Sequence, residues 1–540
     1  MSDTAALRAI EAALAAADPA RAATLAAAAL AAGERDALLF HVLAWRSETD
    51  GDYAAAIAHL EEARSLAPGD AELLTASGAV LRKAGRLGDA VRMLDAAVAA
   101  APRSAAAWLE RGYAFHGGGA LDDAAESYHT AARLDPGCAA AFAGFAQVAA
   151  LLGFPVAVRR FAAKALAIDP REATALLALA AVDVDDGAFE EAIAALAGLL
   201  ADDALPLAQR NAAAALLGRA HERAGNRDAA FAAFRDAKTG FVALHRPGST
   251  AESAETHVAL VESTIAALAR TDPAAWRGTP PPPPVAGAAA THIFLLGYPR
   301  SGNTLVENIL ASAAGVEAIE ERPTLADADR AFLVPADGLA RLAATHGVAL
   351  APFRVAYWEK IAAVGAEAAG KILVDMDPFK SLQLPIIARL FPDARVVLLR
   401  RDPRDVVWSC FRTQFAPSAV AFEFTSLERA AYHYDATMRL IEQCLAVLPL
   451  TVEIVRYEDL VADFDGVTRR LCDFTGVDWH PDMRHFERGA RTRGAGTASA
   501  AQVRKPLYDG GGQWRAYALH LAPVLPRLAP WVEKFGYPPD

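Results

Sequence analysis

The sequence predicts two unlike halves: an all-α solenoid of stacked helix pairs, then an α/β domain of P-loop-like anatomy built on a central parallel sheet. Three observations predict this. Pro68, Pro102, Pro136 and Pro170 recur at intervals of 34 residues. Five consecutive prolines, Pro280 to Pro284, divide the chain. Beyond them, short apolar runs read as buried strands, each followed at once by glycines or arginines. The expected organisation is a repeat array over 1–250, a helix and proline-rich linker over 251–290, and the α/β domain over 291–540.

Aligned on the prolines, units 37–70, 71–104, 105–138 and 139–172 share a pattern. Phe40, Leu74, Trp108 and Phe142 hold the fourth position, and Ala44, Gly78, Gly112 and Ala146 the eighth. Ala63, Ala97, Ala131 and Ala165 hold the twenty-seventh, and Leu60, Leu94 and Tyr128 supply a large residue three before it. Positions 4, 7, 8 and 11 share one face of a first helix, and positions 20, 24 and 27 one face of a second. The small residues let two backbones approach, and each proline stops the second helix. The pattern resembles the tetratricopeptide repeat (TPR), with weaker flanking units at about 3–36, 173–209 and 211–244. Such an array is a scaffold or a groove for a protein partner. A helical stretch over 251–276 and a stiff polyproline spacer follow.

The 540 residues are 54% apolar and 22% charged, so large cores are possible and global disorder is excluded. A net charge of −12 argues against a general nucleic-acid binder. Cys138, Cys410, Cys444 and Cys472 are far apart, with no C-x-x-C pair, so neither a disulfide framework nor a zinc site is expected. No apolar stretch reaches ~18 residues, so no membrane span is expected. No signal-peptide core opens the chain, and a cytoplasmic protein, with alanine usage of a GC-rich bacterium, is the expectation.

The chemistry lies in the second half. Ile293 to Leu296 reads as a buried strand, Gly297 to Gly302 as a turn, and Asn303 to Leu310 as the start of a helix. Strand, glycine loop and helix start form a phosphate cradle, because backbone N–H groups and the helix dipole face an anion. The loop reads Gly297-x4-Gly302-Asn303-Thr304, with Asn303 where a nucleoside-triphosphatase loop carries lysine. A second strand, Val396 to Leu399, runs into Arg400, Arg401 and Arg404 and a helix carrying Ser409. Cations at the carboxyl end of a parallel strand sit where doubly wound sheets bind ligands. A third strand signal, TVEIVRYEDL, ends at Tyr457. The segment 483–505 holds six Lys or Arg against one Glu, interleaved with glycine, as suits a loop closing over phosphates.

PRSGNT, RRDPRDVVWSCF, RYEDL and TASAAQVRKPLY…GQWRAY, in this order, resemble sulfotransferases that use 3′-phosphoadenosine 5′-phosphosulfate (PAPS). The similarity is to the bacterial TPR-sulfotransferase group, related to tyrosylprotein sulfotransferases, and covers about residues 291–540. The resemblance implies that Arg300, Ser301, Gly302, Asn303 and Thr304 bind the 5′-phosphosulfate. It implies that Arg401 and Ser409 grip the 3′-phosphate, that Tyr457 contacts the nucleotide, and that Ser499, Arg504 and Lys505 close over it. Glu321 falls on the general base of the tyrosylprotein branch, with Glu320 beside it, and Arg300 is expected to stabilise the transition state with no metal needed. The family's lysine in the stretch VDMDPF is replaced by Met376, with Lys380 four residues on. His346 and His433 are further candidate bases. The expected acceptor is a hydroxyl on a peptide, glycan or small molecule, with its pocket over 321–358. Two other classes remain: a P-loop kinase or nucleoside triphosphatase, and a silent TPR adaptor that only binds nucleotide.

Overall fold

The computed structural model describes residues 4–246, 256–277, 283–493, 503 and 506–539. Close packing divides the chain into two units, Met1–Ala230 and Phe231–Asp540.

The first unit is a run of antiparallel helix pairs. They are α1 (Ala5–Ala15) with α2 (Pro19–Ala31), α3 (Ala37–Thr49) with α4 (Tyr53–Leu66), α5 (Ala71–Lys83) with α6 (Leu87–Ala100), and α7 (Ala105–Gly117) with α8 (Leu121–Leu134). Then come α9 (Ala139–Leu152) with α10 (Pro155–Ile168), α11 (Ala173–Asp186) with α12 (Phe189–Leu200), and α13 (Leu207–Arg223), before α14 (Arg227–His245). The 34-residue period therefore governs local structure. Asp36, Asp70 and Ser104, one period apart, each cap the first helix of a pair through a side-chain oxygen. Gly51, Gly85, Gly119 and Gly153 turn the chain between partners at φ 77–79°, where a β-carbon is disfavoured. Second helices end two residues before each proline, since the residue preceding proline resists the α conformation.

The period also sets the packing. Tyr128 is fully buried between Gly112 and Gly144, and a β-carbon on Gly112 would come within 2.6 Å of its ring. Gly112→Ala is therefore expected to lower the stability of the array by ~1–3 kcal/mol, the usual cost of overpacking, read as a lower denaturant midpoint. Gly112→Ala combined with Tyr128→Leu should recover part of that loss.

The second unit holds one parallel sheet: β1 (Thr291–Leu296), β2 (Val316–Glu320), β3 (Ile372–Met376), β4 (Arg395–Arg400) and β5 (Thr451–Arg456), in the order β2-β3-β1-β4-β5. From central β1 the chain goes to one side for β2 and β3 and crosses to the other for β4 and β5. The carboxyl end of β1 is thus the switch point where such sheets bind ligands. The helices that position the site are α16 (Asn303–Leu310), α17 (Ala326–Phe332), α18 (Gly338–Ala344), α19 (Ala351–Ala363), α20 (Leu384–Leu390), α21 (Pro403–Arg412) and α22 (Leu427–Val447). They are joined by α15 (His257–Ala269), upstream of the sheet, and by α23 (Tyr457–Ala462), α24 (Phe464–Thr475) and α25 (Phe486–Arg493). On one face of the sheet, Ile293, Leu295, Val374, Met376, Val397 and Leu399 form a core with Leu305, Val306 and Ile309 of α16.

Lys238 of α14 is buried against the end of α21, where its ammonium donates to Thr413 O at 2.6 Å. Burial lowers it to about 8 from an ordinary 10.5. Between those values the unfolded chain holds a proton that the folded chain lacks, so stability rises with pH across the window, and the full penalty applies below about 8. Lys238→Met should thus stabilise the protein near pH 7 by up to ~3 kcal/mol, less ~1 for the lost hydrogen bond, and remove the rise. Chemical denaturation of both proteins at pH 7 and pH 10 measures this.

Candidate functional site

The site begins with the loop after β1. Tyr298, Pro299, Arg300 and Ser301 make a turn closed by Ser301 N–H donating to Tyr298 O at 3.2 Å, with Arg300 at φ 70°. Proline second and a positive φ third is the geometry of a type II turn, whose third position favours glycine. The carbonyls of the loop are occupied from outside. Gly297 O accepts from Ser381 Oγ at 2.8 Å, Tyr298 O from Asn303 Nδ2 at 2.9 Å, and Arg300 O from Arg401 Nη1 at 3.0 Å. With its acceptors committed to protein, the loop leads into the first turn of α16, where helix N–H groups have no intrahelical partner. Gly302 caps that helix at φ 104°, packed on the Tyr457 ring.

The arginines after β4 take different fates. Arg400 pairs with Glu442 at 2.6 Å. Arg404 is buried on Asp402, stacks on Trp514 and donates to the carbonyls of Pro538 and Pro539. Arg401 alone turns to the loop: it bonds Arg300 O and Gly510 O and lies 4.7 Å from the Tyr457 ring centroid. Its Nε is buried and has no partner among the described residues. Arg300 Nε donates to Ser409 Oγ at 3.0 Å, so the glycine loop and the β4 motif meet directly. Burial lowers Arg300 to about 10, which leaves it charged at neutral pH. A cavity opens here, lined by Arg300, Gly302, Thr304 and Arg401 together with the apolar Phe486 and Leu507.

Across the sheet from Arg401 stand the acids. Glu321 follows β2, and its N–H donates to Met376 O at 2.8 Å. Asp377 follows β3, and its N–H donates to Leu295 O at 3.2 Å. The order β2-β3-β1 therefore places Glu321, Asp377 and the Arg300 loop side by side at the carboxyl ends of three strands. Glu321 stands at φ 48°. Non-glycine residues in this region are strained by ~1–3 kcal/mol and gather at functional sites. Among the described residues only Ala17, Arg300 and Glu321 adopt it, and two of these are the candidate catalytic pair. The Glu321 residue is exposed, yet desolvation of its carboxyl, with Asp377 and Glu320 nearby, pushes it up to about 7. Burial likewise pushes Asp377 to about 6.

Residues 292–481 match the model of the sulfotransferase family, and residues 75–139 match a tetratricopeptide-repeat model. Residues 292–481 form a sulfotransferase-family domain. A protein of Aquifex aeolicus without an assigned function is 26% identical over 267 residues, 46% of this chain and 33% of that protein, so the match spans a third of its length. Protein-tyrosine sulfotransferase 2 of Gallus gallus is 25% identical over 269 residues, 46% of this chain and 71% of that one. Protein-tyrosine sulfotransferase 1 of Danio rerio is 25% identical over 261 residues, 46% of this chain and 72% of that one. Among solved structures, a thermophilic TPR protein of Thermus thermophilus aligns with a TM-score of 0.30 at 25% identity, covering 34% of this chain and 98% of that one.

Within the sulfotransferase domain, the structure brings Arg300, Ser301, Gly302, Thr304, Arg401, Ser409 and Tyr457 together. The Asn303 side chain is buried and closes the loop onto Tyr298 O, while its main chain stands in the first turn of α16. The Tyr457 hydroxyl is taken up by Tyr508 O and Gly510 N–H, which makes the ring a support for Gly302 and Arg401. Ser499, Arg504 and Lys505 lie outside the described residues. Met376 is buried in the core, and Lys380 is buried in an ion pair with Asp375, which also accepts from Thr324 and Tyr357. Lys380 thus gives the site no unpaired ammonium. His346 is exposed, and His433 is fully buried. Sequence reasoning missed Asp377, although its stretch VDMDPF had been singled out, and missed Phe486 and Leu507. Only apolar residues within a basic segment could have pointed to the last two. No group of His, Cys, Asp and Glu among the described residues is arranged to hold a metal, and no described helix is long and apolar enough to cross a membrane.

Proposed function

We propose that the domain transfers a sulfuryl group from PAPS to an acceptor hydroxyl. The observation that carries this is the meeting of two anion-binding elements, the loop that ends at the α16 N-terminus and Arg401 with Ser409, joined through Arg300. One nucleotide phosphorylated at two places satisfies both, and the unpartnered Arg401 Nε fits a phosphate oxygen. Phe486 and Leu507 offer apolar contact to a purine.

In-line transfer builds negative charge on the oxygen that leaves with the 5′-phosphate, so positioning and cations supply most of the rate. Arg300, held in place by its strained turn, supplies that cation. Glu321 takes the proton of the acceptor hydroxyl, and a carboxylate near 7 suits such a base at neutral pH. Asp377 beside it keeps the pair from ionising together at low pH.

Curated relatives named protein-tyrosine sulfotransferases make a tyrosyl hydroxyl the first acceptor to test, and the TPR array suits an acceptor carried on a protein. Transfer of ³⁵S from labelled PAPS to tyrosine peptides, glycans and a fractionated lysate tests this reading. A labelled acceptor is expected; PAPS binding without transfer to any acceptor would leave the nucleotide-binding adaptor, which the pairing of Lys380 with Asp375 also favours.

A further inference from the structure

The catalytic reading uses Arg300 but not a buried polar chain that starts two residues before it. The Tyr298 hydroxyl lies 2.6 Å from His433 Nδ1 on α22, and His433 Nε2 lies 2.8 Å from His257 Nδ1 on α15. His433 is completely buried and Tyr298 is 2% exposed. Both nitrogens of His433 are engaged, so it has no route to a substrate proton. Burial keeps both imidazoles neutral, with His257 lowered to about 4. A neutral imidazole has one donor and one acceptor. The chain therefore has two consistent settings, with every proton pointing toward His257 or every proton pointing toward Tyr298. In either one, each linking atom is satisfied, and removing a member strands a buried polar group.

What the chain holds is the first corner of the Arg300 turn. Tyr298 O is the acceptor for both Ser301 N–H and Asn303 Nδ2, the two bonds that keep Arg300 at φ 70°. The Tyr298 ring is fixed laterally by Phe424 and Tyr434, with centroids at 6.2 and 4.9 Å, and its tip is fixed by His433. The polar end of this clamp is the element that a mutation can remove without changing side-chain volume.

We propose that Tyr298, His433 and His257 form a positioning relay that holds the Arg300 turn in its anion-binding shape and so sets affinity for the 5′ end of the nucleotide. This rests on the PAPS reading above. The test measures binding of 3′-phosphoadenosine 5′-phosphate and of adenosine 3′-phosphate to the full chain by calorimetry. Tyr298→Phe, which keeps the ring, and His433→Phe are each expected to weaken the bisphosphate about fivefold to tenfold, the scale of one buried hydrogen bond. Adenosine 3′-phosphate, which lacks the 5′ group, should lose much less, since the turn reaches its site only through Arg401 and Ser409. The double variant should lose no more than either single one, because both break the same contact. His433→Gln, which retains an acceptor, should recover affinity to within about threefold. His257→Leu should cost less than Tyr298→Phe; no loss there would remove His257 from the relay. Equal loss for both nucleotides, additive losses, or unchanged affinity in Tyr298→Phe would overturn the relay. Absence of bisphosphate binding in the wild type would instead overturn the PAPS reading itself. If His433→Phe does not fold, Tyr298→Phe alone decides.

Discussion

Glu321→Gln is expected to lower turnover by ~10²–10⁴-fold, the range that general-base catalysis contributes, while bisphosphate nucleotide affinity stays within about twofold. Glutamine keeps the volume and removes the basic oxygen. In the wild type the rate should rise with pH through about 7, as the Glu321 carboxyl ionises, and that limb should vanish in the variant. The effect on stability has the opposite sign. A carboxyl pushed up from 4.5 to about 7 binds a proton in the folded state that the unfolded chain has lost, so stability falls as pH rises between those values. Removing the charge should therefore leave the protein as stable at pH 8 as before, or more so. An inactive but more stable variant separates catalysis from folding. Steady-state kinetics against pH, beside thermal unfolding at pH 8, are the measurements; unchanged turnover would remove Glu321 from the mechanism.

Arg401→Lys is the second large effect. The charge survives, but the fork is lost that reaches Arg300 O and Gly510 O while leaving Nε for a ligand. Charged hydrogen bonds are worth ~1.5–3 kcal/mol each, so the bisphosphate should bind about a hundredfold more weakly. Ser409→Ala should cost less, since it removes one neutral partner. Arg404→Lys, at a residue equally basic in sequence, should cost stability through Asp402, Trp514 and the carbonyls of Pro538 and Pro539, not nucleotide affinity. Calorimetric titration of all three variants distinguishes the roles.

The sequence made this last distinction impossible. Arg400, Arg401 and Arg404 form one cluster on paper, and only the folded chain shows Glu442 and Asp402 neutralising two of them. The array, by contrast, was legible from a single period, because each 34-residue unit repeats the same small-to-large contact, as between Gly112 and Tyr128. β1, β4 and β5 were legible as apolar or alternating runs before glycine and arginine. β2 was not: Val316–Glu320 is a half-exposed edge strand with two glutamates, too short for its pattern to stand out. Without β2, Glu321 could be placed only by resemblance, and its strained backbone and its neighbour Asp377 could not be foreseen. The link from Tyr298 to His433 spans 135 residues and has no local signal.

One nucleotide is expected to bridge the Arg300 loop and the Arg401–Ser409 pair. A crystal structure with 3′-phosphoadenosine 5′-phosphate tests it directly. The expected result is the 5′-phosphate on the main chain of residues 300–304 and the 3′-phosphate on Arg401 and Ser409. A nucleotide bound elsewhere, or held by one of the two elements alone, would contradict it.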